Sequence, residues 1–305
     1  MRIFLFLLFL PLAAFSTEKI CVIINPLSGG VKKNEIALKI LEQLKSYEVE
    51  LVYTNGPLHA TTLAKEAVER GAQVVVVVGG DGSVNEACQS LVGTDAALAI
   101  IPTGSGNGLA HHLHISLEIE KAIEVIKEGH TEKIDTIKVN NQYYLCVAGI
   151  GFDAEVGWAF SEFGHRGFLS YLLMTLKKLP TYQPRNYDLC IDGKKVSKEA
   201  FLIAFANSSQ FGNDAYIAPT AEVNDGYLDV IIMKRVPFYA TAQVVHQLFN
   251  RSLDSSRYVE IIKCKEIDIA EQNLKAHVDG EPMIFPEGMH FQVVPSSLKV
   301  VVPKK

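Results

Sequence analysis

The sequence predicts an α/β plus β protein: a doubly wound, parallel-sheet domain followed by a mainly antiparallel β-sandwich domain. Three observations carry this. Up to about residue 132, apolar β-branched runs alternate with segments of helical periodicity, the texture of βαβ units. Beyond it, short strand-like runs separated by turn signals take over. Three of the early strand-like runs end in glycine-rich turns, at Asn25 to Gly30, Gly79 to Gly82 and Gly104 to Gly108. A doubly wound sheet gathers such turns at its carboxyl edge, where open α/β sheets bind ligands.

The first domain is expected over residues 18–132. Ile20 to Ile24 reads as a strand, and Asn34 to Tyr47 carries Ile36, Ile40, Leu41 and Leu44 at helical spacing, with Asn34 as N-cap. Val49 to Tyr53 alternates as a strand and ends at the turn Thr54-Asn55-Gly56-Pro57. A helix from His59 to Arg70 stops at Gly71. Val74 to Val78, five consecutive valines, is too short for a helix and β-branched throughout, so it reads as a strand buried on both faces. A helix from Ser83 to Leu91 follows, with Ser83 and Glu86 spaced as a capping box. A strand from Ala97 to Ile101, a helix from Asn107 and a helix from Leu117 to Lys127 complete the domain.

The second domain is expected over residues 133–305. Lys133 to Val139 and Tyr143 to Ala148 flank the two-residue turn Asn140-Asn141, a hairpin. Further strands are expected at Tyr187 to Ile191, Phe201 to Ala206, Tyr227 to Met233, Tyr258 to Cys264, Ile267 to Ala270 and Lys275 to Val278. The last are Phe291 to Val294 and Leu298 to Val302, which could pack back on the first domain. Two helices, Leu169 to Leu179 and Phe238 to Arg251, interrupt the series.

Composition bounds the function. At 305 residues, 48% hydrophobic and 21% charged, the chain is long enough for two cores. A net charge of −5 argues against nucleic acid as a partner. The five cysteines are scattered without C-x-x-C spacing, as reduced core residues are. Residues 1–17 form a separate segment: Met1-Arg2 precedes an apolar run from Ile3 to Phe15, with Ala14-Phe15-Ser16 as a small-x-small site. This is a signal-like pattern, too short to span a bilayer, and equally a shallow membrane anchor.

Each glycine turn between a strand and a helix is an anion site in outline, because backbone N–H groups converge where no side chains intervene. In chain order the three read N-P-x-S-G from Asn25, G-G-D-G-S-x-N-E from Gly79 and P-T-G-S-G-N-x-L-A from Pro102. None is a Walker A sequence, which needs G-K-[ST], nor a protein-kinase glycine loop. Together they resemble the lipid kinases of the diacylglycerol kinase and sphingosine kinase superfamily.

The resemblance implies an active-site cleft between the two domains, ATP as phosphoryl donor, Mg2+, and a membrane lipid as acceptor. Peripheral membrane association and a cytoplasmic or membrane-face location follow from that substrate, with export left open by residues 1–17, and a homo-oligomer remains open. It places Asn25, Ser28, Gly29, Thr54, Gly80, Asp81, Gly82, Ser83, Asn85, Glu86, Thr103, Gly104, Ser105 and Asn107 on the nucleotide. Taken alone, Thr54 is equally a turn residue, and Asn25 and Asn107 could equally satisfy local backbone groups. Asp81, Glu281 of the V-D-G-E stretch and Asp135 are the catalytic expectations. Without the resemblance, Asp279-Gly280 reads simply as a type I′ turn and Asp135 as a strand-edge aspartate. Asp153, in G-x-G-F-D-A, aligns with an aspartate that sphingosine kinases use on the lipid head group. Asp225, with backbone oxygens near Glu222 and Tyr227, resembles a structural magnesium site of bacterial members and equally a turn. The chain departs from those members at Gly108, which replaces an Asp, and at His111, which replaces an Arg. The rival readings are a kinase of a soluble substrate, such as the NAD kinases, and a non-catalytic lipid-binding relative.

Overall fold

A computed structural model of the chain describes residues 18–30, 32–163, 175, 177–179 and 181–304. The signal-like segment 1–17, the Gly164 to Gly167 stretch and most of the helix expected at Leu169 to Leu179 lie outside the described residues. The first unit alternates β1 (Lys19–Ile24), α1 (Lys33–Gln43), β2 (Glu48–Tyr53), α2 (His59–Glu69), β3 (Val74–Gly79), α3 (Asp81–Leu91) and β4 (Ala97–Pro102). The strands lie in the order β2-β1-β3-β4, all parallel. Every residue of β3 and β4 is buried, which is why both read as unbroken apolar runs. Two short helices follow, α4 (Gly108–His112) and α5 (Ile119–Glu128), the second ended by Gly129 in the left-handed conformation.

The remaining strands divide between an extension of this sheet and a second sheet. β5 (Thr131–Val139), β6 (Gln142–Tyr144), β8 (Arg185–Ile191), β9 (Lys194–Ala200), β13 (Glu266–Ile269) and β16 (Met289–Val301) join the parallel sheet. The junction is β16: its end pairs parallel with β4 (Lys299 with Ala97), while its length pairs antiparallel with β5. The second, six-stranded sheet has the order β12-β11-β10-β7-β14-β15. Its strands are β7 (Val147–Gly151), β10 (Leu202–Ala206), β11 (Leu228–Met233), β12 (Val259–Cys264), β14 (Leu274–Val278) and β15 (Glu281–Phe285). A sandwich core lies between the two sheets, with Tyr144, Phe205 and Phe291 fully buried in it and Phe205 stacked on Phe291 at 4.2 Å between ring centroids. α6 (Phe152–Phe163) follows β7, and α7 (Phe238–Phe249) follows β11.

The differences from expectation have local causes. Tyr143 to Ala148 is not one strand: the chain leaves the first sheet after Tyr144 and enters the second at Val147. The two terminal strands expected around Pro295 are one, because a bulge between Val294 and Leu298 absorbs the Pro-Ser-Ser turn signal, with Ser296 at φ +50°. β9 and β15 sit at sheet edges, where Lys-rich KKVSKEA and the proline of EPMIF obscure a strand pattern. α1 starts at Lys33 with Lys32 as its N-cap, so Asn34 lies inside the helix.

Candidate active site

The three glycine turns interlock at the carboxyl edge of the parallel strands. Asn25 continues β1, donating its N–H to the Val78 carbonyl at 3.0 Å. Its side chain accepts the Leu27 N–H at 2.9 Å and donates to Ser83 Oγ at 2.8 Å, tying the first turn to the second. Ser28 and Thr103 share a hydroxyl–hydroxyl bond of 2.8 Å, tying the first to the third. Gly29 stands at φ +61°, and a Cβ there would lie 2.1 Å from the Thr103 carbonyl oxygen. A Cβ on Gly104 would lie 2.5 Å from Gly80 Cα. Asn107, left-handed at φ 50°, closes the third turn by accepting the Gly104 N–H and donating to the Gly104 carbonyl, both at 2.9 Å. Thr54, buried at the end of β2, joins this edge through its N–H to the Ile24 carbonyl at 2.9 Å. α3 opens on the same edge, so the unpaired N–H groups of its first turn and its dipole lie where phosphates would sit. The packing makes a direct prediction: Gly104→Ala forces the second and third turns apart, costing about 1–3 kcal/mol of stability and weakening nucleotide binding. Thermal unfolding with and without ATP checks it.

The capping box expected at Ser83 does not form. α3 begins two residues earlier, with Gly80 as its N-cap, and Ser83 serves Asn25. Glu86 turns outward to another helix: its carboxylate accepts the Ala60 N–H at 3.1 Å and its carbonyl accepts the Thr61 hydroxyl at 2.8 Å, capping α2. Asp81 faces the third turn. The N–H groups of Gly108, Asn107 and Leu109 lie against its carboxylate, and a Cβ on Gly106 would meet it at 2.8 Å. Burial, and secondly the charge of Asp279, raise its pKa to about 6 despite those donors.

The second domain meets this edge through the β14–β15 hairpin. Asp279 and Gly280 both have positive φ, 46° and 83°, as the type I′ reading requires. The turn is more than a turn, because the half-buried Asp279 accepts four hydrogen bonds. Asn85 Nδ2 donates at 2.8 Å from α3, and the Leu145, Cys146 and Val147 N–H groups donate at 3.0, 2.9 and 3.1 Å. Its carboxylate therefore gathers the chain crossing between the sheets and pins it to α3. Gln89 adds to the joint, exchanging two bonds with the backbone of Tyr143 at 2.7 and 2.9 Å. Two residues past Asp279, Glu281 is exposed, and its Oε1 lies 3.4 Å from the Cβ position of Gly82. The V-D-G-E stretch thus brings one carboxylate into the joint and another to the mouth of the second glycine turn. The third turn is closed from the same side by Gly212, whose Cβ position lies 2.7 Å from the Gly106 carbonyl.

Other expected residues have other neighbours. Asp135 is buried; its oxygens accept the Gly226 N–H and the Ser296 N–H, both at 2.7 Å, and it makes no hydrogen bond to Asp81 or Glu281 among the described residues. It fastens the β16 bulge to the turn before β11. At that turn Asp225 accepts the Tyr227 N–H at 3.0 Å and the Lys263 ammonium at 2.7 Å, and Lys263 also reaches Asp229 at 2.9 Å. Glu222 is exposed there. The Asp225 carboxylate, which the expected magnesium set would use with backbone oxygens near Glu222 and Tyr227, holds the Lys263 ammonium here, and no group of three or more His, Cys, Asp or Glu side chains suited to a metal ion occurs among the described residues. His112 accepts the Ser209 N–H at 3.1 Å, and burial lowers its pKa to about 4.

Asp153, in the first turn of α6, is buried against a residue that sequence reasoning passed over. His277 Nε2 lies 2.7 Å from Asp153 Oδ2, and a Cβ on Gly149 would fall within 2.6 Å of both side chains. Burial alone would lower the imidazole pKa, but Asp153, with Asp279 behind it, raises it overall. Nothing in A-H-V-D-G-E marks this histidine; only the register of β14 against β7, His277 opposite Gly149, brings it to Asp153.

An edge made of backbone N–H groups, met by an acidic hairpin from a sandwich domain, is suited to holding phosphates without a Walker lysine. Comparison with known proteins gives the family. Residues 19–139 match the "Diacylglycerol kinase catalytic domain", and residues 146–302 match the "YegS C-terminal NAD kinase beta sandwich-like domain". The chain belongs to this lipid kinase family and is an ATP-dependent kinase. A diacylglycerol kinase of Mycobacterium tuberculosis (strain ATCC 25618 / H37Rv) is 28% identical over 296 residues, 94% of this chain and 96% of that protein. One of Bacillus subtilis (strain 168) is 27% identical over 268 residues, covering 85% and 88%. A crystal structure of a diacylglycerol kinase from Bacillus anthracis str. Sterne shares the fold, with a TM-score of 0.73 over 94% of this chain and 97% of that one at 21% identity.

Proposed function

We propose that the chain transfers the γ-phosphoryl group of ATP to the free hydroxyl of a neutral glycerolipid of the diacylglycerol type. The observation that carries this reading is the approach of Glu281 to Gly82, which sets an exposed carboxylate beside the turn where the terminal phosphate would rest. In this reading residues 18–132 hold the nucleotide and residues 133–305 hold the acceptor. The triphosphate lies on the N–H groups of the three turns and the start of α3. The lipid oxygen attacks the γ-phosphorus, the bond to the β–γ bridging oxygen breaks, ADP leaves, and Glu281 takes the hydroxyl proton. Asp81 holds the 107–109 backbone in place, and being ionised at neutral pH it keeps those N–H groups gathered. Magnesium carried on the phosphates would neutralise charge there.

The pairing of Asp153 with His277 supports a neutral acceptor over an amine-bearing one. A carboxylate reserved for a lipid ammonium would lack a cation of its own, whereas this one already has an imidazole at 2.7 Å. Lipid-stimulated ATP consumption, measured with dispersed diacylglycerol, a sphingoid base, NAD and a no-acceptor blank, tests the reading. We expect diacylglycerol to exceed the sphingoid base by about tenfold, the discrimination a single charge pairing supports. His277→Ala should narrow that ratio by uncovering Asp153. Consumption with NAD matching or exceeding that with lipid would overturn the assignment.

A further inference from the structure

Helix α7 turns an apolar stripe to the outside. Ala240 and Val244 are buried, whereas Phe238, Ala242, Val245 and Phe249, spaced four, three and four residues apart, share the opposite, exposed face. Phe238 is 96% exposed and its neighbour Tyr239 is 77% exposed. A helix of a water-facing surface places its polar side chains there, so this stripe calls for a covering.

The charge around the stripe says what covers it. From Lys234 to Arg251 the chain carries Lys234, Arg235 and Arg251 and not one Asp or Glu, in a protein of net charge −5. Lys234 and Arg235 are exposed just before the helix, and Arg257 lies beside Tyr239. Aromatic and aliphatic side chains flanked by cations, with a tyrosine at the margin, match the boundary of an anionic bilayer: rings enter the acyl region and cations meet headgroup phosphates. A second copy of this chain would also bury the stripe, but it would bring the same positive flank against itself.

The helix is wired to the catalytic edge. The Leu248 carbonyl accepts the Tyr216 N–H at 2.8 Å, and the Arg251 guanidinium lies 4.2 Å from the Tyr216 ring centroid. Tyr216 donates its hydroxyl to Asp214 at 3.0 Å, and the adjacent Asn213 N–H reaches the Gly106 carbonyl at 3.3 Å. From the end of α7 to the glycine turn that faces Asp81 is thus a short run of bonded groups. We infer that the outward face of α7, with Lys234 and Arg235, docks the enzyme on anionic lipid bilayers and so presents the cleft to membrane-resident acceptor. This rests on the lipid-acceptor reading above, but its test needs no catalysis.

The test is flotation of the full chain with phosphatidylcholine vesicles, with and without about a quarter phosphatidylglycerol. The wild type should float with the anionic vesicles and much less with the neutral ones. A Phe238→Ser, Val245→Ser double variant should bind about tenfold or more weakly, since each buried side chain of this size contributes on that order. Lys234→Gln with Arg235→Gln should erase the preference for the anionic vesicles. A Phe238→Trp variant should be quenched by bromines in the acyl chains beyond the level of the wild type, which locates the contact independently of folding in the double variant. The inference falls if the double variant floats as the wild type does, which would assign binding to another segment such as residues 1–17. It falls equally if that double variant instead splits a dimer seen by sedimentation while bromines add no quenching in Phe238→Trp. A chain that floats through α7 yet phosphorylates no lipid would refute the proposed reaction and leave the docking face standing.

Discussion

Glu281→Gln is expected to lower turnover about 10²- to 10⁴-fold, the range a positioned proton acceptor contributes, with little change in the Michaelis constant for ATP. The glutamine keeps the length and polarity of the side chain beside Gly82 but cannot take a proton. The side chain is exposed at the start of β15, so its replacement should leave folding alone. Steady-state kinetics against ATP at saturating lipid, with thermal unfolding as a control, check both halves. A variant that loses ATP affinity and turnover together would make Glu281 a nucleotide ligand instead. Asp81→Asn is a less clean experiment, although the residue is central. Its carboxylate faces the N–H groups of residues 107–109, and an amide NH2 turned toward them would set donor against donor. Loss of activity there would report the third turn coming loose as much as any chemistry.

The largest structural effect is expected at Asp279. Asp279→Ala leaves the N–H groups of Leu145, Cys146 and Val147 without this acceptor and the Asn85 amide with the Tyr143 carbonyl alone, all at the joint between the sheets. The cost is on the order of 3–5 kcal/mol, because buried donors lose the bond without regaining water. Asp279→Asn should cost less. Asparagine tolerates the left-handed backbone and keeps one acceptor, so the pair separates the charge from the geometry. Urea unfolding of the two variants is the check, and equal costs would mean that the charge carries the joint. Removing the Asp279 charge also removes one of the influences that raise the pKa of Asp81, which couples the joint to the site.

What could be read in the sequence and what could not divide along the range of the interactions. The glycine turns were legible because strand, turn and helix start are fixed by neighbouring residues, and three of them in order pointed to one edge. The V-D-G-E stretch was legible as a motif, but the work of Asp279 was not, since its four donors come from residues 85 and 145–147. Glu86 misled for the same reason: its spacing to Ser83 suggested a local box, while its partner is the N–H of Ala60. Asp135 and Asp225 came from resemblance alone, and their neighbours, a bulge N–H and a cross-strand lysine, depend on strand pairings that no single segment announces. His277 went unseen because a histidine inside an apolar strand looks like core until the facing strand is known. The β9 and β15 edges were missed because an edge strand needs apolar side chains on neither face.

In the proposed reaction one cleft, built from glycine turns of the first domain and Glu281 of the second, passes the γ-phosphoryl group of ATP to a glycerolipid hydroxyl. Its most direct test is to incubate the full chain with γ-labelled ATP and vesicles containing diacylglycerol, then separate and identify the labelled lipid. Labelled phosphatidic acid should form in step with ADP and be almost completely lost in Glu281→Gln. Label appearing only as free phosphate, or phosphatidic acid formed as fast by the variant, would contradict it.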